Sequence, residues 1–320
     1  MKMKNIYFII AAILALLMLT LPLICTAKSV DAGATLPLPE QTDAADTLTV
    51  LDFTTNETFE VTFKDYLFGV VAAEMPMTYE DEALKAQTVT AYTYTLYTIS
   101  KNTNEEYDIS TDSNTFQGYI SREKAREKWG DKADQYEKRL DGIIADVQGI
   151  YICLNGSPIM AVYHAISGGK TEGCENVWGT SLPYLAPKES LGDLLATDYL
   201  SSVTVSPDNL KEAFKDKCEF SGEAKDYIGK ITKTDSGYVK QIQVGNTALS
   251  GTEFRKALNL RSANFDVAYT GGNFTFSVRG YGHGVGLSQN GANYMAQQGN
   301  TYTEILNWYY TGCVLQRTES

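Results

Sequence analysis

The sequence predicts an α+β protein of mixed helices and antiparallel hairpins, in one body or two closely packed lobes, behind one N-terminal transmembrane helix. Three observations predict it. Short β-branched and aromatic runs recur in pairs around turn formers. Helical windows with capping residues stand between them. Ile6–Cys25 carries no charge over 20 residues, enough to cross a ~30 Å hydrocarbon core as a helix.

Lys2 and Lys4 on the short side of that apolar run keep it inside, so the rest is exported. Residues 1–27 are therefore a membrane anchor or a cleaved signal peptide, with small residues (Thr26, Ala27) near a cleavage position. The reading favours the retained anchor: a single-pass protein of the cell membrane with its folded part extracytoplasmic. Residues 28–47, small, polar and proline-containing, read as a linker, and 48–317 as the folded domain.

In order, "LTVLDF" and "TFEVTF" around "TTNE" predict a hairpin. A helix follows from Phe63 and ends at Met75-Pro76, because a residue before proline is biased away from α. Thr78 is the expected N-cap of the next helix, Tyr79 to Ile99. Residues 121–145 are charged and helical in composition. "GIYICL", Asn155-Gly156 and "SPIMAVYHAIS" predict a hairpin, and the turn-rich stretch after Ser167 a long surface loop. Then come the strand "YLSSVTV", a short helix capped by Asp208, a hairpin around "DSG", a helix opened by Thr252, and a hairpin around Gly271-Gly272. Ser288 caps a helix stopped by Gly299, and Thr301 with Glu304 forms a capping box for the last one.

Charge and composition narrow the function. A formal net charge of −12 repels phosphate backbones, so sequence-independent nucleic-acid binding is excluded as a role. Cys153, Cys174, Cys218 and Cys313 lack CxxC spacing; in an exported domain they either pair or stay free and buried. The two histidines, His164 and His283, do not make a metal site, and no dinucleotide or Walker motif implies a cofactor.

Three features carry chemistry. Phe63, Leu67, Val70 and Val71 form one apolar helical stripe, and the next position on it is Glu74. A carboxylate there is desolvated, which raises its pKa and suits a general acid. Gly280, Gly282, Gly284 and Gly286 alternate with Tyr281, His283 and Val285, so one backbone face can approach something closely. "YHAISGGKTE" places His164 and Ser167 at a strand end. Each feature has a bland counterpart: a frayed helix end, a tight corner, a structural histidine.

Together, "VVAAEMPMTYEDEALKAQTVTAYTY", "YHAISGGKTEGCENVWGTSLPYLAP" and "RGYGHGVGLSQNGANYMAQQG" with "TYTEILNWYYTG" resemble, in order, the stage II sporulation protein D family, which shares its domain with amidase-enhancer proteins. The resemblance implies a peptidoglycan lytic transglycosylase that cleaves peptide-stripped glycan strands during engulfment. Its partners would be glycan, membrane, a cell-wall amidase or endopeptidase and other engulfment proteins. It places the catalytic acid/base on Glu74. Lys85, Gln87, His164, Ser167, Tyr281, His283, Ser288 and Gln289 match the family's other positions and are assigned to substrate binding or to positioning Glu74. Where the family usually has an arginine, this chain has Tyr92. Ser110, Thr115 and Phe116 stand where some clostridial relatives look to hold a metal, so no metal is expected.

Overall fold

The computed structural model describes residues 47–318 apart from 105, 113 and 114. The anchor and nearly all of the linker lie outside the described residues. Among the described residues no helix is long and apolar enough to cross a membrane. The architecture is α+β, with several small and mostly antiparallel sheets.

Strands β1 (Thr47–Asp52) and β2 (Glu57–Thr62) form the expected hairpin, with Asn56 at φ 59° in its turn, and β3 (Ile109–Ser110) adds to β1 in parallel. Helix α1 (Phe63–Glu74) starts at once, because the Thr62 hydroxyl accepts from the Asp65 N–H. It stops at Met75, extended before Pro76. Helix α2 (Asp81–Lys101) begins later than expected, and Thr78 does not cap it. Pro76 to Tyr79 instead closes a turn (Tyr79 N to Pro76 O, 3.0 Å), and Asn293 Oδ1 accepts from Glu80 N at 2.8 Å. The charged stretch forms two helices, α3 (Arg122–Trp129) and α4 (Ala133–Asp146), broken where Gly130 takes φ 54°.

Strands β4 (Ile150–Leu154) and β5 (Ser157–Pro158) turn at Asn155 and Gly156, both at positive φ as a two-residue hairpin loop requires. The second strand of this hairpin does not run on to Ser167. Pro158 has no N–H to continue the ladder, and only β6 (Tyr163–His164) resumes. The expected long loop holds a short helix, α5 (Cys174–Trp178).

Strand β7 (Leu200–Val205) leads to α6 (Pro207–Phe214), capped by Ser206 rather than Asp208, since Pro207 fits the first helical position. Strands β8 (Ile228–Lys233) and β9 (Val239–Val244) pair as expected, and β10 (Thr247–Ser250) extends them. Ser250, not Thr252, caps α7 (Gly251–Ala257) through a capping box with Glu253. The hairpin β11 (Phe265–Thr270) and β12 (Asn273–Arg279) pairs with β7. Strand β13 (Leu287–Ser288) pairs with β6 in parallel, and α8 (Gln289–Gln297), α9 (Tyr302–Tyr309) and β14 (Val314–Arg317), which pairs with β4, complete the chain.

Two large apolar clusters result. One gathers Phe68 and Val71 of α1, Leu84 and Val89 of α2, Leu140 of α4 and Leu306 of α9. The other is built within 205–278 around Phe214, Phe254, Phe265 and Phe276, so the β-rich second half has its own core. A smaller cluster covers the β1–β2 side with Tyr66, Val70 and Tyr92. Cys153, Cys174, Cys218 and Cys313 are free and buried.

Candidate functional site

Helix α1 carries its stripe as the sequence predicts: Leu67, Val70 and Val71 are buried, and Glu74 continues the face, half-buried. Three fixtures hold this last turn. Lys128 of α3 donates to the Ala72 and Ala73 carbonyls (2.8 and 3.3 Å), supplying donors that a helix C-terminus lacks. Arg139 of α4 donates to the Met77 and Tyr79 carbonyls and clamps the turn beyond Pro76. Arg122 lies over the Phe68 ring (3.8 Å) and joins Asp65 of α1 to Asp141 of α4 (2.8 and 2.9 Å).

Glu74 Oε1 accepts from the Gly118 N–H at 2.9 Å. The polar side chains of Gln289 and Tyr163 are the other groups that act on it. Burial raises the Glu74 carboxyl above its ordinary 4.5; the Gly118 hydrogen bond, the Gln289 and Tyr163 side chains and the charge of Lys128 only partly oppose this. No second carboxylate is among these influences. Tyr163 in turn donates to Gln117 Oε1 (3.2 Å), whose amide nitrogen donates to Thr95 Oγ1 (3.0 Å). Gln289 Nε2 reaches Gln87 Oε1 at 3.5 Å, both residues being buried. The outcome is a carboxyl group that accepts from the Gly118 N–H and is faced by the neutral side chains of Tyr163 and Gln289.

The alternating glycines approach the chain's own 162–167 segment. At Gly282 a Cβ would meet His164 Cβ at 2.7 Å, and at Gly286 it would meet the Val162 carbonyl at 2.0 Å; both have positive φ. This close approach brings the two motifs together. His164 is buried, with Nδ1 3.0 Å from the Val285 carbonyl, and its ring centroid lies 5.7 Å from that of His283. Burial lowers both imidazoles, His164 to about 4 and His283 to about 3, so both are neutral at physiological pH. The His283 ring lies 5.2 Å from Trp178, whose indole is exposed, as is the Tyr281 ring.

Ser167 and Ser288 meet at a different group, Asp193, which is fully buried. Its Oδ2 accepts from the Ser167 N–H (2.9 Å) and hydroxyl (2.5 Å), and its Oδ1 from Ser288 Oγ (2.8 Å) and Asn290 Nδ2 (3.3 Å). Ser288 also caps α8 through the Gly291 N–H. These hydroxyls are committed to joining the two motifs. Lys85 is turned to Asp146 (3.1 Å) and Glu82 (3.2 Å), which raises its pKa through the Asp146 hydrogen bond first. Tyr92 is buried edge-on against Phe63, with centroids 5.7 Å apart, in the cluster beside β1.

The nine sequence-predicted residues thus separate into four places: Glu74 with Gln289 and Gln87, the His164–His283–Tyr281 group, the Ser167–Ser288 joint on Asp193, and Lys85. Gly118, Gln117, Tyr163, Lys128 and Asp193 carry no signal in the sequence that marks them as part of the site. Only the proximity of Tyr163 to His164 in the quoted motif could have suggested one of them.

Comparisons with known proteins identify the family. A family model described as Stage II sporulation protein (SpoIID) matches residues 53–152, the stretch that contains Glu74 and Gly118. Stage II sporulation protein D of Bacillus amyloliquefaciens is 34% identical over 272 residues, covering 83% of this chain and 78% of that protein. Its Bacillus subtilis (strain 168) counterpart is 32% identical with the same coverage. The amidase enhancer of Bacillus subtilis (strain 168) is 27% identical over 300 residues, 78% of this chain but 40% of that protein. Identity at this level over most of both chains establishes that the chain belongs to the stage II sporulation protein D family.

Proposed function

We propose that the protein is a membrane-anchored, extracytoplasmic lytic transglycosylase that cleaves peptidoglycan glycan strands already stripped of stem peptides, in septal wall remodelling and engulfment. The observation that carries this reading is the isolated, half-buried Glu74, whose protonated form is favoured by burial and whose carboxylate oxygen accepts from the Gly118 N–H. Ordinary glycosidases flank the scissile bond with two carboxyl groups. A transglycosylase needs one. Glu74 donates its proton to the glycosidic oxygen as the bond from that oxygen to C1 breaks. The carboxylate left behind takes the proton of the sugar's own C6 hydroxyl as that oxygen bonds to C1. The product is a 1,6-anhydro ring, Glu74 is protonated again, and no water is consumed. A wall amidase or endopeptidase must act first to supply stripped strands, so such an enzyme and other engulfment proteins are the proposed partners.

Gly118 tests the positioning. A Cβ there would sit 2.7 Å from Glu74 Oε1. Gly118→Ala pushes the carboxyl off its backbone donor and lowers the cleavage rate roughly 10- to 100-fold, since small misplacements of a reacting group are costly. Turnover on purified stripped glycan, set beside the melting temperature, separates this from a loss of fold.

One observation favours a second reading, a non-catalytic glycan-binding enhancer of a wall amidase. The position where the family usually has arginine is the buried Tyr92, and one relative is named an amidase enhancer. Incubating the full chain, solubilised in detergent, with peptide-free glycan and reading the new ends by mass spectrometry decides between them. Anhydro-muramyl ends support the transglycosylase. Retention of glycan with no new ends supports the enhancer, and ordinary reducing ends that vanish with a chelator point to a metal-dependent hydrolase.

A further inference from the structure

Tyr163 has one hydroxyl hydrogen and two groups that could receive it. Its hydroxyl lies 3.2 Å from Gln117 Oε1, and it is also one of the polar side chains that act on the Glu74 carboxyl. The two directions have opposite consequences. Turned to Glu74, the hydrogen stabilises the carboxylate, the sense in which Tyr163 opposes burial. Turned away, it leaves only oxygen lone pairs toward Glu74, which accept from the protonated acid and favour that form.

The surroundings of Gln117 decide the direction. Gln117 is buried, and its amide ends on α2: Nε2 donates to Thr95 Oγ1 at 3.0 Å and to the Ala91 carbonyl at 3.3 Å. A backbone carbonyl only accepts, and Thr95 Oγ1 gives its own hydrogen to that same carbonyl at 2.9 Å. Only the NH2 end of the amide satisfies both partners, so Gln117 Oε1 faces Tyr163. That oxygen has no hydrogen to give, so Tyr163 donates to it. The next residue, Gly118, supplies the N–H on Glu74 Oε1 at 2.9 Å. One short segment therefore holds a carboxyl oxygen of Glu74 and draws the Tyr163 hydrogen away from it.

We propose that Gln117 is a positioning residue for Glu74, acting through Tyr163: it keeps the Tyr163 hydroxyl turned away while Glu74 is an acid, and releases it to the carboxylate once the Glu74 proton has gone to the glycosidic oxygen. The inference rests on the reading of Glu74 as acid and then base. It meets a difficulty in that double role. One carboxyl must be protonated for the first step and then persist as a carboxylate until the second, and burial serves only the first. A swing of the hydroxyl supports the carboxylate when it forms, and the swing back accompanies reprotonation from the C6 hydroxyl. The hydrogen stays on Tyr163 throughout, so no further proton is exchanged. The other groups facing Glu74 are the Gly118 N–H, Gln289 and Lys128 of α3. Those facing Tyr163 are Glu74 itself and the hydroxyls of Tyr66 on α1, Tyr94 on α2 and Tyr310 just beyond α9. Burial raises all four tyrosines, so none of them ionises where Glu74 titrates.

The test reads the Glu74 midpoint by carbon NMR of isotope-labelled glutamate carboxyls, in the full chain in detergent. Four proteins are compared: the parent, Gln117→Leu, Tyr163→Phe and the double variant. Gln117→Leu frees the Tyr163 hydrogen for the carboxylate and lowers the midpoint by about one unit, the scale of one hydrogen bond to a charged group. The descending limb of the pH–rate profile on stripped glycan moves toward acid by the same shift. On the Tyr163→Phe background the same substitution leaves the midpoint where it was, because there is no hydroxyl to release. Gln117→Met, unbranched, replaces the leucine variant if melting shows that leucine does not fold. An unmoved or raised midpoint in a folded Gln117 variant overturns the proposal, and so does a drop that persists on the Tyr163→Phe background. The titration needs no turnover. The expected midpoints without anhydro ends keep the hold of Gln117 on Tyr163 and lose the transglycosylase reading, whereas anhydro ends with an unmoved midpoint keep that reading and lose this one.

Discussion

Glu74→Gln lowers the release of anhydro-muramyl ends by roughly 10²- to 10⁴-fold, the range expected when a positioned acid–base group is removed. The side chain keeps its size, and its amide oxygen can still accept from Gly118 N–H, so the fold survives. Stability moves the opposite way. The folded-state pKa of Glu74 is raised, so its favourable contribution is fully present below the ordinary carboxylate value and is lost as pH rises through the folded pKa. Glutamine does not titrate and escapes that loss. Glu74→Gln therefore melts higher than the parent at neutral pH, and the gap closes toward acid. The same sign governs the parent's activity: cleavage needs the protonated form and declines as pH rises through the raised Glu74 pKa. A pH–rate profile and melting curves at several pH values check both statements.

Asp193→Ala produces the largest loss of stability, about 3 kcal/mol or more. It strands the buried Ser167 N–H and hydroxyl and takes the better acceptor from the Ser288 hydroxyl, and each unsatisfied buried donor is costly. For a domain of this size the melting temperature falls by roughly 6–12 °C. The damage is also functional, because Asp193 joins the segment carrying Tyr163 to the start of α8, which carries Gln289, and both side chains act on the Glu74 carboxyl. Asp193→Asn retains one acceptor and loses less. Thermal melts of the two variants, followed by rates on those that fold, give the ordering parent, Asn, Ala.

What the sequence made legible was local. Asn155-Gly156 and Gly271-Gly272 announce hairpins because only residues tolerant of positive φ fit those turns. Thr301 with Glu304, and Ser288, announce helix starts through their own side chains. The expected caps shift where a neighbour competes: Pro207 displaces the cap to Ser206, and Glu253 selects Ser250 over Thr252. The strand expected through Ser167 failed because its partner was not the adjacent hairpin strand but Leu287–Ser288, far along the chain. Glu74 stood out because it breaks an apolar period. The groups that act on it did not, since Gly118 is 44 residues away and Tyr163 and Gln289 come from other elements. Asp193, inside an unremarkable "GDLL", shows its role only once Ser167 and Ser288 are seen to converge on it.

The central claim is that a single carboxyl group, its protonated form favoured by burial, performs both proton transfers. The most direct measurement is the titration of Glu74 itself in the full chain, by carbon NMR of isotope-labelled glutamate carboxyls, with Glu74→Gln identifying the signal. The account predicts a midpoint above the ordinary 4.5. A midpoint at or below 4.5 would contradict it, because burial would then not favour the protonated form that the first transfer needs.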